Sequence, residues 1–194
     1  MCYNQNVSLA SFIVGTLVAI FLIKRKKPFD ATFGFLIFFY SIIQLSEYLM
    51  WKSLEDGLDT ELNLKATKLA YYSLWSNLLG LGIGIWKDTG NKVPMFVGTL
   101  AMIIARIVQP TFTISRPTKE SLGHLVWGFD SNYYILVFIL CTLSFIYKTD
   151  LKHTWIAFPF FIGGLLISKF KYKGTASYWC WISAALSFVI LVFK

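Results

Sequence analysis

The chain has 194 residues, of which 56% are hydrophobic, 18% aromatic and only 14% charged, against roughly 25% charged residues in a soluble domain. Its charges form short clusters between long apolar runs, a pattern typical of polytopic membrane proteins. The net charge of +8 is scattered over several loops instead of lying along one stripe, which excludes nucleic acid as a partner. The composition predicts an all-α integral membrane protein surrounded by the lipid bilayer.

The apolar runs predict a bundle of about seven transmembrane helices that forms one domain over residues 1–194. The predicted spans, in chain order, are Val7–Ile23, Ala31–Ser53, Lys68–Trp86, Val93–Gln109, Asn132–Tyr147, Thr154–Ser168 and Ala176–Phe193. Short connections leave no room for a soluble domain.

The distribution of basic residues predicts the orientation of the chain in the membrane. Four consecutive basic residues at positions 24–27 directly follow the first span, and basic residues beside the first span usually stay in the cytoplasm. Three lysines between positions 169 and 173 favour the opposite orientation. We expect the N-terminus outside and the C-terminus in the cytoplasm.

One face of the second predicted span carries polar and aromatic residues. Tyr40, Gln44, Glu47 and Trp51 are spaced i, i+4, i+7 and i+11, which places them on one side of a helix. An ionisable residue within a span is costly, and it usually faces the bundle interior or a water-filled cavity. Glu47 could instead reach the headgroup region or cap a loop amide. The spacing therefore predicts a polar binding site with Glu47 directed into the bundle.

Alternation of the spans brings several distant segments to the membrane face at which the second span ends. These segments are the N-terminus with Cys2, the long connection 109–131 and the start of the last span with Cys180. The connection contains His124 and Trp127 in an apolar run, so we expect it to fold back onto the bundle. His124 joins the candidate binding residues.

Glu47 is expected to have a polar partner from among a small group of residues. The candidates are Gln44, His124, Arg106 and the region of Cys180.

The cysteines Cys2 and Cys180 have three interpretations. They could form a disulfide bond, remain unpaired thiols, or bind a metal such as zinc together with His124 and Glu47. Their spacing matches no diagnostic metal motif, so the sequence does not identify a cofactor. Cys141 lies in the middle of the fifth predicted span, and we expect it to be isolated.

The third predicted span has a face of small residues. Ser73, Asn77, Gly80 and Gly84 repeat the spacing i, i+4, i+7 and i+11. Small residues let the backbones of two helices approach closely in a membrane. This face is predicted to pack against a neighbouring helix.

Three segments of the chain carry recognisable motifs. They are Met1-Cys2-Tyr3-Asn4, Gln44-Leu45-Ser46-Glu47-Tyr48-Leu49-Met50-Trp51 and Ser177-Tyr178-Trp179-Cys180-Trp181. These segments resemble an uncharacterised family of membrane proteins that begin Met-Cys-Phe-Ser-Ala. That family has Gln-x-x-Glu-Gly-x-x-Trp in its second span and Ser-x-Trp-Cys-Phe-Phe-Ala-Ala in its last. Tyr48 replaces the family's glycine, so a ligand that fits this position could differ. The resemblance points to the same membrane face but implies no particular activity.

Two functions compete on these residues, and a purely structural role is a third alternative. In the first, the polar face around Glu47 binds or passes a small polar solute, ion or proton. In the second, Glu47, His124, Cys2 and Cys180 form a membrane-embedded enzyme, redox or metal site.

Overall fold

The computed structural model describes residues 4–55, 57–108, 111–118 and 125–129, together with Tyr134 and Val137. Within these residues the chain forms four α-helices and one small antiparallel sheet. The helices are α1 (Gln5–Arg25), α2 (Asp30–Glu55), α3 (Thr60–Thr89) and α4 (Val93–Ile107), and the strands are β1 (Arg116–Pro117) and β2 (Leu125–Val126). Each helix packs on the next in chain order, α1 on α2, α2 on α3, and α3 on α4.

Local sequence signals set where the helices begin and end. The side chains of Asn4 and Asp59 accept hydrogen bonds from the first-turn N–H groups of α1 and α3, at 3.0 Å each, as N-cap residues do. Lys26 and Gly90 follow α1 and α3 in the left-handed conformation, which ends a helix by turning the chain away. The connections are therefore short, and consecutive helices run side by side.

Two helices near the N-terminus, α1 and α2, are long and apolar enough to cross a membrane. At 1.5 Å per residue, their 21 and 26 residues span about 32 and 39 Å, which exceeds the roughly 30 Å of a bilayer's hydrocarbon core. The large apolar residues that α1 exposes are Val7, Ile13, Val14, Leu17, Ile20 and Phe21. These features support association with a membrane.

The prediction of about seven membrane-spanning helices is wrong. Of the four spans predicted within the described residues, only the first two form helices that are long and apolar enough to cross. The tyrosines, glycines and Asn77 of α3 lower its hydropathy, and α4 has only 15 residues, about 22 Å. The spans predicted at 132–147, 154–168 and 176–193 lie outside the described residues, except for Tyr134 and Val137. The single domain over 1–194 stays a prediction.

The third helix starts about two turns earlier than its apolar run predicted. Its first turns are polar, and Asp59 caps them while Lys65 forms an exposed i, i+4 ion pair with Glu61. A capped start and such a pair stabilise a helix without apolar residues. Hydropathy alone therefore placed the boundary at Lys68 instead of Thr60.

The small-residue face of α3 packs against α2, as predicted. A Cβ atom on Gly80 would lie 3.0 Å from the carbonyl oxygen of Phe35, and one on Gly84 would lie 2.7 Å from that of Ala31. Gly98 of α4 approaches α3 in the same way, because its Cβ would lie 2.5 Å from the Leu79 Cα. Glycines thus bring three consecutive helices to backbone contact.

Replacing Gly84 with leucine is expected to lower the free energy of unfolding by about 3 kcal/mol, because backbone atoms of α2 cannot move aside as a flexible side chain would. Titration with a denaturing detergent in mixed micelles, followed by circular dichroism, measures this loss. The control is Ala10→Leu, which adds the same side chain on an exposed position of α1. Equal stability of the two variants would contradict this prediction, because it would show that α2 and α3 accommodate the larger side chain at no cost.

Candidate functional site

The polar face of α2 points into the protein. Tyr40, Gln44 and Glu47 are 4%, 2% and 0% exposed, and Trp51 is half-buried against the main hydrophobic core. The expectation that Glu47 faces the interior is confirmed. That these four residues bind a ligand stays a prediction.

The indole of Trp127 donates a hydrogen bond from Nε1 to Glu47 Oε1 at 3.3 Å. Both side chains are buried, and Trp127 belongs to the long connection that follows α4. The connection therefore folds back onto the helices, as its apolar run predicted. Trp127 was not among the partners expected for Glu47. Arg106, which was, is exposed and donates to the Tyr72 hydroxyl at 3.0 Å.

A short β-hairpin, which comprises β1 and β2 with their flanking residues in 111–118 and 125–129, holds Trp127 in place. Strand β1 pairs antiparallel with β2, with Arg116 opposite Val126. Beside this pair, the Thr113 N–H donates to the Gly128 carbonyl at 2.8 Å, and the Gly128 N–H donates to Ser115 Oγ at 2.9 Å. The backbone on both sides of the hairpin is thus fixed next to the indole.

Asn63 fastens the hairpin to the helices through a buried polar network. Its Nδ2 donates to Ser53 Oγ at 2.8 Å and to the Ser115 carbonyl at 3.0 Å, and its Oδ1 accepts from the Ser115 N–H at 2.8 Å. The hydroxyls of Thr67 and Ser115 lie 2.8 Å apart. All four residues are buried. Sequence reasoning missed this network, because nothing in the spacing of these residues links α3 to a segment about fifty positions later.

Aromatic rings fill the space between the hairpin and α3. The Tyr71 ring packs edge-to-face against Phe112 and Phe129, at centroid distances of 5.3 and 5.2 Å. The Trp127 ring stacks on Phe129 at a centroid distance of 5.2 Å. The Tyr71 hydroxyl donates to the Ala105 carbonyl at 3.1 Å. Such ring pairs stabilise their arrangement beyond simple burial of area, so the indole of Trp127 sits in a defined position.

An open groove of about 560 Å³ lies between the hairpin and the start of α3. Its lining residues are Thr60, Leu64, Phe112, Thr113, Ile114, Arg116, Thr118, Val126, Trp127 and Gly128. Trp127 belongs both to this groove and to the hydrogen bond with Glu47.

The described residues confirm that three segments share one end of the helix bundle. Gln5 at the start of α1 donates a hydrogen bond to Glu55 at the end of α2. Asn63 at the start of α3 binds Ser115 of the connection. The N-terminal region, the α2–α3 turn and the connection are thus neighbours, as the alternation of helices predicted.

The remaining candidates lie outside the described residues. These are His124, Cys2 and Cys180, together with Cys141. Among the described residues no group of three or more histidine, cysteine, aspartate and glutamate side chains could hold a metal ion. The disulfide, free-thiol and metal interpretations of the cysteines, and the enzyme built on them, stay predictions.

Comparison with models of known protein families, with curated proteins and with solved structures gives no match. The family resemblance of the three motifs therefore also stays a prediction, and function is inferred from the geometry around Glu47.

Proposed function

We propose that the protein is an integral membrane protein that binds or passes a small polar solute or a proton at Glu47. The observation that carries this proposal is a carboxylate with no exposed surface in α2, a helix long and apolar enough to cross a membrane. Carboxyl groups within such helices are rare because their burial is costly, and they commonly mark solute, ion or proton pathways.

The neighbours of Glu47 support a binding role. Gln44 and Tyr40 lie on the same face of α2, about one and two turns from Glu47, and are buried with it, so this face carries an amide and a hydroxyl in addition to the carboxyl group. An amide can both donate and accept hydrogen bonds, and a carboxylate accepts several. This donor and acceptor set suits a small polar molecule or a relayed proton.

The proposed orientation follows from charge at the opposite end of the bundle. Lys24, Lys26 and Lys27 are exposed where α1 ends, as are Lys87 and Lys92 where α3 ends and α4 begins. Basic residues beside membrane helices favour the cytoplasmic side. We place this end in the cytoplasm and the Glu47 end toward the outside; the predicted cytoplasmic C-terminus lies outside the described residues.

Transport in proteoliposomes tests the proposed function. Vesicles containing a trapped pH-sensitive dye report proton flux, and uptake of radiolabelled urea reports passage of a small polar solute. We expect the wild-type protein to accelerate at least one of these fluxes. Glu47→Gln, which keeps the size of the side chain but removes its charge, is expected to lower that flux at least about tenfold.

The matched control is Glu55→Gln, which makes the same change at an exposed position on the same helix. Equal circular dichroism and elution profiles establish that both variants fold. A wild-type protein that accelerates neither flux, or a Glu47→Gln variant as active as Glu55→Gln, would contradict the proposal.

A further inference from the structure

The groove beside the hairpin shares one residue, Trp127, with the buried site. Thr60 and Leu64 of α3 form one side, and Thr113 and Val126 of the hairpin form the other. Its volume of about 560 Å³ exceeds what a small solute needs, and it opens to the surface. Trp127, which also lines the groove, is only 7% exposed and hydrogen-bonds Glu47.

A solute can replace Trp127 as the hydrogen-bond donor to Glu47 without any covalent step. The indole contributes a single N–H donor, and its distance of 3.3 Å to the carboxylate oxygen is longer than the usual 2.9–3.0 Å of such bonds. A solute with its own N–H or O–H group could donate to the same oxygen. One hydrogen bond to Glu47 would be replaced by another while the indole turns aside.

One basic residue lines the groove and a second lies beside it. Arg116 lines the groove with an exposed side chain, and the Lys68 ammonium lies 5.9 Å from the centre of the Phe112 ring. Positive groups at the entrance of a site repel cations. Two acidic residues flank Thr60: Glu61 pairs with Lys65, and Asp59, which caps α3, keeps its negative charge. Arg116 and Lys68 together outweigh that single charge.

The buried site disfavours anions, whereas the entrance disfavours cations. An anion that passed Arg116 would enter a buried site beside the carboxyl oxygens of Glu47, which are hydrogen-bond acceptors, and burying a charge there is unfavourable. A cation would be repelled earlier, at the entrance. A neutral molecule that donates hydrogen bonds meets neither barrier.

We propose that this groove is the entrance to the Glu47 site, that Trp127 closes the passage between them, and that the solute is a small, neutral molecule rich in N–H or O–H donors. The inference rests on the proposed function and adds to it the route and the chemical class of the solute.

Urea and guanidinium provide a matched pair of probes, because they are planar and close in size but differ in charge. Uptake of each radiolabelled probe, at low concentration, is measured in proteoliposomes containing the full chain. We expect urea uptake to exceed guanidinium uptake at least about tenfold, since a repulsion of only 1.4 kcal/mol at the entrance gives that ratio. Arg116→Glu is expected to bring the two rates close together. Guanidinium uptake equal to or above that of urea in the wild type would overturn the assigned solute class.

Two further variants and one control variant test the route. Thr60→Trp places a large ring in the groove and is expected to reduce urea uptake severalfold, whereas Thr99→Trp, on an exposed position of α4, leaves it unchanged. Trp127→Phe keeps the ring that stacks on Phe129 but removes the N–H group that donates to Glu47. It is expected to raise urea uptake severalfold, because the closed position loses its hydrogen bond.

The outcomes separate this inference from the proposed function. If Glu47→Gln abolishes uptake while the Thr60, Arg116 and Trp127 variants all behave as wild type, the entrance is elsewhere and the proposed function stands. If Glu47→Gln has no effect, the proposed function itself fails.

Discussion

Replacing Arg25 with alanine is expected to lower the free energy of unfolding by about 2–4 kcal/mol. The guanidinium of Arg25 donates to both carboxylate oxygens of Asp30, at 2.7 and 2.8 Å, and Asp30 is fully buried. Removing the cation leaves a buried negative charge, which costs about 3–5 kcal/mol when the pair is fully buried. Arg25 retains 16% of its side-chain exposure, and the Lys27 N–H also donates to Asp30, so we expect a smaller loss.

Denaturing-detergent titration in mixed micelles measures this change, with Lys24→Ala as the control for a neighbouring exposed cation. The double variant Arg25→Ala, Asp30→Asn should recover part of the stability. The asparagine can still accept a hydrogen bond from the Lys27 N–H, and it buries no negative charge. If Arg25→Ala is no less stable than Lys24→Ala, the pair does not hold α1 to the start of α2.

Replacing Asn63 with alanine is expected to lower the free energy of unfolding by about 3 kcal/mol, because a buried group left without its partner costs about 1–3 kcal/mol. The substitution removes the partners of the Ser115 N–H and carbonyl, and one partner of the Ser53 hydroxyl. Since this network is fully buried, water cannot readily replace the lost amide. The hairpin, and with it Trp127, should detach more often from the helices.

Hydrogen exchange followed by mass spectrometry locates this effect. Peptides that contain Ser115 and Gly128 should exchange faster in Asn63→Ala, while peptides from α1 should not change. Lys65→Ala serves as the control, because Lys65 lies on the same helix but in an exposed ion pair, which contributes about 0.3–0.5 kcal/mol. Unchanged exchange at Ser115 and Gly128 would mean that the hairpin is held by its aromatic contacts alone.

These two contacts lie at opposite ends of the bundle and have different consequences. The Arg25–Asp30 pair stabilises the α1–α2 turn at the basic end, where Asp88 of α3 also accepts hydrogen bonds from the N–H and hydroxyl of Thr32. The Asn63 network stabilises the end that carries Glu47 and the groove. We therefore expect Arg25→Ala to reduce stability with little change in the transport properties of folded protein, and Asn63→Ala to change both.

The sequence by itself determined the helices and the direction of the polar face. Apolar runs located α1, α2 and α4 to within two residues at their starts, because burial and lipid contact both demand long apolar segments. The spacing of Tyr40, Gln44 and Glu47 placed them correctly on one buried face, since side chains at i, i+4 and i+7 share a side of any α-helix.

Only the tertiary structure decided which polar groups meet. Trp127 reaches Glu47 from 80 positions away, and Ser115 reaches Asn63 from 52. Such pairs follow from how the connection packs on α2 and α3, because a buried polar group must find a partner but its own sequence neighbourhood does not specify which one.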